Sequence, residues 1–239
     1  MQNHARTLAA ALACGALFGG ATASAADALS APAAAPAATA PLARPAADPT
    51  PDEVAAIERF HDSGAWARET DRVIKRATAT LRASAHKAKR PGKLVAVFDV
   101  DDTALSSYDC MKGGGFTTSR RTLCALTGPH PAITQTRRLV ALAQRLGVHV
   151  AFVTGRPVGL RALTLEQLRD AGYRGRFQLV LRPPGYRHAS NVPFKSSARK
   201  ALQRGGRRVV IDVGDQRSDL SGGFAQRTFK LPNPMYTLR

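Results

Sequence analysis

VAVFDVDDTALSS, residues 95–107, runs an apolar stretch directly into three acids, Asp99, Asp101 and Asp102. The apolar half reads as a strand buried on both faces, as in a parallel sheet covered by helices. Carboxylates gathered at the mouth of such a strand repel one another and lose hydration. That costs free energy unless a cation or phosphate chemistry compensates. Side chains alternate along a strand, so Asp99 and Asp101 are expected to point to the same side.

Outward from this stretch the pattern alternates. Strands are predicted at 94–100, 148–153, 177–181 and 207–213, with a short one near 227–230, and helices at about 132–146, 158–171 and 193–204. The strands are continuous apolar runs (VAVF, VHVAFV, FQLVL, RRVVIDV), and strands alternating with helices predict a doubly wound α/β fold with a parallel sheet. Two helices precede it. Thr50-Pro51-Asp52-Glu53 forms a capping box that opens a helix through Phe60, and His61 to Gly64 interrupts it. Trp66, Val73, Ile74, Ala77, Leu81 and Ala85 then recur at helical spacing up to Arg90-Pro91-Gly92, with Trp66 read as core packing. Residues 106–131, SSYDCMKGGGFTTSRRTLCALTGPHP, break the alternation and read as a cap insertion over the site. There are no internal repeats.

In open α/β sheets ligands bind beyond the carboxyl ends of the strands, and the chemically suggestive residues fall there. Asp99 to Asp102 end the first strand, Thr154-Gly155-Arg156 the second, and Gly214-Asp215 the strand 207–213. Asp99 is expected to be a nucleophile that takes a phosphoryl group, and Asp101 the acid/base that protonates the leaving oxygen and then activates water. Nucleophile and phosphate are both anionic, so a hard divalent cation such as Mg²⁺ must neutralise their approach. Asp215 and Asp219, in GDQRSD, supply further ligands, with Asp219 binding directly or through water. Thr154 with the backbone after it, including Gly155, and Lys195 in the first turn of its helix are expected to hold phosphate oxygens.

Composition bounds the rest. Residues 1–25 read as an export signal, with His4 and Arg6 before the apolar Leu8–Phe18 stretch and small residues at Ala23 and Ala25. The stretch is too short to span a membrane, and simple export is preferred to lipid attachment at Cys14. Residues 26–49 are an Ala/Pro-rich spacer with little to bury, and residues 50–239 fit one domain. Export would leave Cys110 and Cys124, which in an oxidising compartment are expected to close a short loop, whereas in a reducing one they would be separate thiols. The formal charge is +18, from 35 Lys and Arg against 17 Asp and Glu. These charges are scattered without interleaved aromatics, so no specific nucleic-acid partner is expected. A positive field would instead gather small anionic substrates.

FDVDDT, FVTGRP, the Lys195 helix and VIDVGDQRSDLSGG followed by FKLPNPMY resemble the four motifs of the haloacid dehalogenase superfamily. Within it they are most similar to a secreted acid phosphatase branch that includes class B and class C bacterial acid phosphatases and plant vegetative storage proteins. The resemblance runs over about residues 54–239. It implies Asp99 as nucleophile and Mg²⁺ ligand, Asp101 as acid/base and backbone-carbonyl ligand, Thr154 and Lys195 as phosphate stabilisers, and Asp215 with Asp219 as metal acids. The implied substrate is a small phosphomonoester, with a nucleotide among the options. Ser106 to Pro131 departs from the branch in being Gly-rich, basic and poor in aromatics, which leaves the leaving group open. Tyr108, Phe116 and Tyr186 are candidates for stacking on an aromatic leaving group, with packing the preferred reading. The alternatives are a non-catalytic storage or binding protein of the same fold, or a basic binder of anionic surfaces.

Overall fold

The computed structural model describes residues 48–127 and 130–238. The expected export signal, Cys14 and the spacer up to residue 47 lie outside the described residues. Five strands form one parallel sheet: β1 (Leu94–Phe98), β2 (His149–Pro157), β3 (Gln178–Arg182), β4 (Arg208–Gly214) and β5 (Thr228–Lys230), in the order β3-β2-β1-β4-β5. β1 is thus central, and its carboxyl end opens between those of β2 and β4.

The two faces of the sheet follow from the period of two along the strands. Leu94, Ala96 and Phe98 of β1, with Val150 and Phe152 of β2 and Ile211 and Val213 of β4, build the larger core. Helices α2 (Ala65–Lys87), α5 (Thr134–Arg145) and α6 (Arg161–Asp170) supply its other side through Val73, Ile74, Ala77, Leu81, Leu139, Ala143 and Leu168. Val95, Val97, Ala151, Val153 and Val209 face the other way and are covered by Phe194, Ala198 and Leu202 of α7 (Val192–Leu202). The predicted helices and strands are all present, with ends within a few residues of expectation. The exception in length is β2, which runs on to Pro157 because its ladder with β3 shifts register between Thr154 and Pro157. Such a bulge re-aims side chains beside a site.

α1 (Pro51–Asp62) opens with the capping box read in the sequence: Glu53 N–H donates to the Thr50 hydroxyl at 3.4 Å and Thr50 N–H to the Glu53 carboxylate at 2.7 Å. Trp66, expected in the core, is half-buried instead. Its indole N–H donates to the Pro232 carbonyl at 3.0 Å, which ties α2 to the C-terminal segment.

The insertion is more ordered than its composition suggested. It contains α3 (Tyr108–Lys112) and α4 (Thr118–Leu126), which pack with Ile57 of α1 and Met235 into a third small core through Tyr108, Met111, Phe116 and Cys124. Cys110 and Cys124 are joined in a disulfide. Arg120 Nε adds a bond to the Cys110 carbonyl at 2.8 Å, so α4 is pinned to α3 twice. In the chain-entropy model a loop with this separation of 14 residues is stabilised by about 3 kcal/mol. Reduction, or Cys110→Ala with Cys124→Ala, is therefore expected to lower Tm by roughly 6–12 °C, read by calorimetry with and without reductant.

Candidate active site

The floor of the site is a cluster of buried charges where β1, β4 and α7 meet. Asp99 follows β1 directly, and its N–H donates to the Val213 carbonyl at 2.9 Å, which continues the sheet pairing one residue past Phe98. Lys195, in the first turn of α7, donates from Nζ to Asp99 Oδ1 and to Asp219 Oδ1, each at 2.5 Å. Carboxylate oxygens of Asp99, Asp215 and Asp219 lie within 4.8 Å of one another, a donor set able to hold a metal ion. All four side chains are buried.

Charge accounting defines what this floor needs. Three carboxylates face one ammonium, so when ionised the cluster keeps two uncompensated negative charges in a region poor in water. Burial pushes Asp99 well up from the usual carboxylate range; Lys195 pulls it down, but Asp219, Asp215 and Asp101 add to the rise. Burial and the neighbouring Asp219 and Asp102 push Asp215 to about 7. Lys195 is held protonated, because Asp99 and Asp219 outweigh the desolvation that would lower it. A hard divalent cation on the carboxylate oxygens fits the charge and the donor type.

Asp101 sits differently. The strand ends at Phe98, so Asp99 and Asp101 reach one cleft through the turn that follows and not through strand alternation. The Asp101 carboxylate is outside the three-acid group and is clamped by Arg156, with Nη2 at 2.7 Å and Nε at 3.1 Å from both oxygens. Asp101 is 34% exposed against 7% for Asp99, which leaves it reachable from the cleft. Arg156 is oriented in turn by Thr164 and by Gln167, whose Oε1 accepts from Nη1 at 2.5 Å. Arg156 is a site residue to which the sequence alone assigns no role. Its place in TGRP, directly after Thr154 and Gly155, is the signal the sequence offers; the register shift of β2 between Thr154 and Pro157 is seen only in the structure.

Thr154 is wholly buried, its Oγ accepting from Arg156 N–H at 3.2 Å, while Gly155 and Arg156 line the cleft. Two glycines are set by close approach. A Cβ on Gly155 would meet Asn191 Nδ2 at 2.7 Å, and one on Gly214 would meet Asp219 Cβ at 2.5 Å.

A further ring of residues holds the acids in place. Asp215 accepts from Thr103 Oγ at 2.9 Å, Gln216 Nε2 at 2.6 Å and Asn233 Nδ2 at 2.7 Å. Asp219 Oδ2 accepts from Gln216 N–H at 2.7 Å, which caps the short helix α8 (Arg217–Leu220). Asp102 is outside the three-acid group and accepts from Ser107 N–H and Oγ and from Tyr236 Oη at 2.5 Å. It adopts a left-handed φ of 54°, which aspartate tolerates better than most residues, and burial raises its carboxyl to about 6. Arg199, one turn after Lys195 on the same face of α7, is 1% exposed and lies 3.1 Å from Asp212, an ionic contact without hydrogen-bond alignment. Its guanidinium donates to the carbonyls of Asp219, Ser221 and Gly223, fixing the loop that presents Asp219. Asp212 is pushed by burial to about 7, against the pull of Arg199.

These groups open into a cleft of about 620 Å³ walled by α4, the β2 bulge, the loop before α7 and the C-terminal segment. The aromatic candidates do not line it. Tyr108 and Phe116 are packed in the insertion core, and Tyr186 donates its hydroxyl to the Ser190 carbonyl at 2.6 Å.

Comparison with known proteins agrees with this architecture. The family described as HAD superfamily, subfamily IIIB (acid phosphatase) matches residues 23–239. The chain belongs to that family. Acid phosphatase 1 of Solanum lycopersicum is 36% identical over 151 residues, covering 61% of this chain and 59% of the relative. Vegetative storage protein 1 of Arabidopsis thaliana is 32% identical over 148 residues, 59% of this chain and 54% of the relative. The chain thus spans less than two thirds of the length of these curated relatives. The class C acid phosphatase from Bacillus anthracis shares the fold, with a TM-score of 0.63 at 16% identity over 78% of this chain and 85% of that one.

The raised carboxyl groups carry a pH signature. A group whose folded pKa exceeds its unfolded value stabilises the fold below the unfolded pKa, and this is lost as pH rises through the folded one. Asp102 at about 6, and Asp212 and Asp215 at about 7, all act in this direction. Chelator-treated protein is therefore expected to lose Tm steadily from about pH 5 to about pH 8, and a thermal scan across that range in one buffer series measures it.

Proposed function

We propose that this member of the family is an exported, Mg²⁺-dependent acid phosphatase acting on small phosphomonoesters, nucleotides among them. The observation that carries the reading is the convergence of Asp99, Asp215 and Asp219 on Lys195 with two negative charges unbalanced, beneath a cleft that also presents Asp101. A storage role would not require a nucleophile, and Asp99 is present with every polar partner. Mg²⁺ would be held by Asp99, Asp215 and Asp219 with the Asp101 backbone carbonyl, and when bound it supplies charge neutralisation for two anions brought together.

The chain's own residues do the following. An Asp99 oxygen attacks phosphorus, forming a P–O bond as the bond to the leaving oxygen breaks, and Asp101 gives that oxygen its proton. Arg156 holds the Asp101 carboxyl toward the leaving group. Lys195, Thr154 and the backbone at Gly155 receive the non-bridging oxygens. Asp101 then takes a proton from water, whose oxygen attacks phosphorus and releases phosphate and free Asp99. The Cys110–Cys124 disulfide supports export to an oxidising compartment.

Hydrolysis of 4-nitrophenyl phosphate at mildly acidic pH with Mg²⁺ is the test. Asp99→Asn is expected to lose about a thousandfold or more in kcat while remaining folded by circular dichroism, and a chelator to suppress turnover until Mg²⁺ is returned. Wild-type turnover retained in Asp99→Asn would overturn the mechanism.

A further inference from the structure

The cleft also carries basic side chains that the proposed chemistry does not use. Arg121 of α4, Arg182 at the end of β3 and His188 in the loop before α7 all line it. They differ from the other cations of the cleft in one respect. Lys195 and Arg156 are matched by carboxylates, whereas among the described residues neither Arg121 nor Arg182 has an acidic partner. Each guanidinium instead lies over a ring: Arg121 Cζ is 5.1 Å from the centre of Tyr236, and Arg182 Cζ 5.9 Å from that of Tyr186. Ring contacts orient a guanidinium while leaving its N–H donors free.

Of the acids that line the cleft, Asp99, Asp215 and Asp219 belong to the floor around Lys195, and Asp101 is paired with Arg156. Arg121 and Arg182 therefore bring unbalanced positive charge to a lining that also includes the apolar Leu126, Leu160 and Leu238. A neutral leaving group would leave both guanidiniums facing water. One ending in an anion would meet charge-assisted donors already in position. Arg121 is also pre-organised, since it lies three residues before the disulfide-bonded Cys124 and next to Arg120, which bonds the Cys110 carbonyl. Such placement reduces the ordering cost of binding.

We propose that these two guanidiniums of the cleft wall form a subsite for a second anionic group, so that the preferred substrates are phosphomonoesters whose leaving group ends in a carboxylate or a second phosphate. The substrate part of this inference rests on the phosphatase reading; the anion subsite does not.

The test compares kcat/KM for phenyl phosphate, 4-carboxyphenyl phosphate and 1,4-phenylene bisphosphate in wild type and in the Arg121→Gln, Arg182→Gln double variant. Wild type is expected to prefer the two anionic esters by about five- to tenfold, less at high salt, and the variant to lose most of that preference. The ratio between proteins cancels differences in leaving-group chemistry. Preference for the bisphosphate alone identifies phosphate as the second group, and equal preference identifies any anion. A wild-type ratio near one, or a preference that the double variant keeps, overturns the subsite. If no aryl phosphate is turned over, the phosphatase reading fails and calorimetry decides the subsite separately. 4-Carboxybenzylphosphonate should then bind wild type about five- to tenfold more tightly than benzylphosphonate, and the variant should not discriminate. Equal binding by wild type overturns it.

Discussion

Three buried carboxylates around one lysine are unfavourable unless something else shares their charge, and much of this molecule is arranged to hold them in that state. Like charges within 4.8 Å raise each other's proton affinity, and burial removes the water that would screen them. Lys195 offsets one charge and bridges two of the acids, linking α7 to the ends of β1 and to α8. The excess that remains is a demand for a cation, and it can be kept only because neighbouring groups leave the carboxylates no freedom to separate.

Those neighbours come from distant parts of the chain. Asp215 is fixed from three sides, by Thr103 just beyond β1, by Gln216 and by Asn233 in the C-terminal segment. Tyr236 from the same segment reaches Asp102, and Trp66 bonds the Pro232 carbonyl from α2. The C-terminal residues thus act as a strap joining the helical N-terminal part to the acidic turn. Arg199 does the same from below, since its donors close the loop carrying Asp219 while Asp212 partly balances its charge. A buried guanidinium with this many carbonyl partners is costly to lose, because each partner would be left unsatisfied.

Much of this was legible in the residues. The apolar runs VAVF, FQLVL and RRVVIDV located β1, β3 and β4 because strands covered on both faces have no polar alternation to obscure them. The capping box placed the start of α1 correctly, since its bonds are local. Asp99, Asp215, Asp219 and Lys195 were found because each follows a strand or opens a helix, where an unpaired charge is conspicuous. Arg156, Asn233 and Tyr236 were harder. Arg156 depends on a register shift in β2, and Asn233 lies 18 residues from its partner Asp215. The insertion was read as a cap whose two cysteines could pair, but its helices were not, because α3 and α4 are short and pack on a small core that includes Ile57 and Met235 from far along the chain.

By itself, the sequence determined the alternation of strands and helices, the sites where acids and Lys195 meet the strand ends, and the pair of cysteines available for a bond. Each depends on hydrophobic period or on neighbours a few residues apart. Only the tertiary structure decided that Asp101 is clamped by Arg156 and not grouped with the other acids, that the aromatic candidates are packing, and that Arg121 and Arg182 line one cleft without acidic partners among the described residues. The reason is that a salt bridge or a cleft wall joins residues remote in sequence, and no local period records which of many charges will meet.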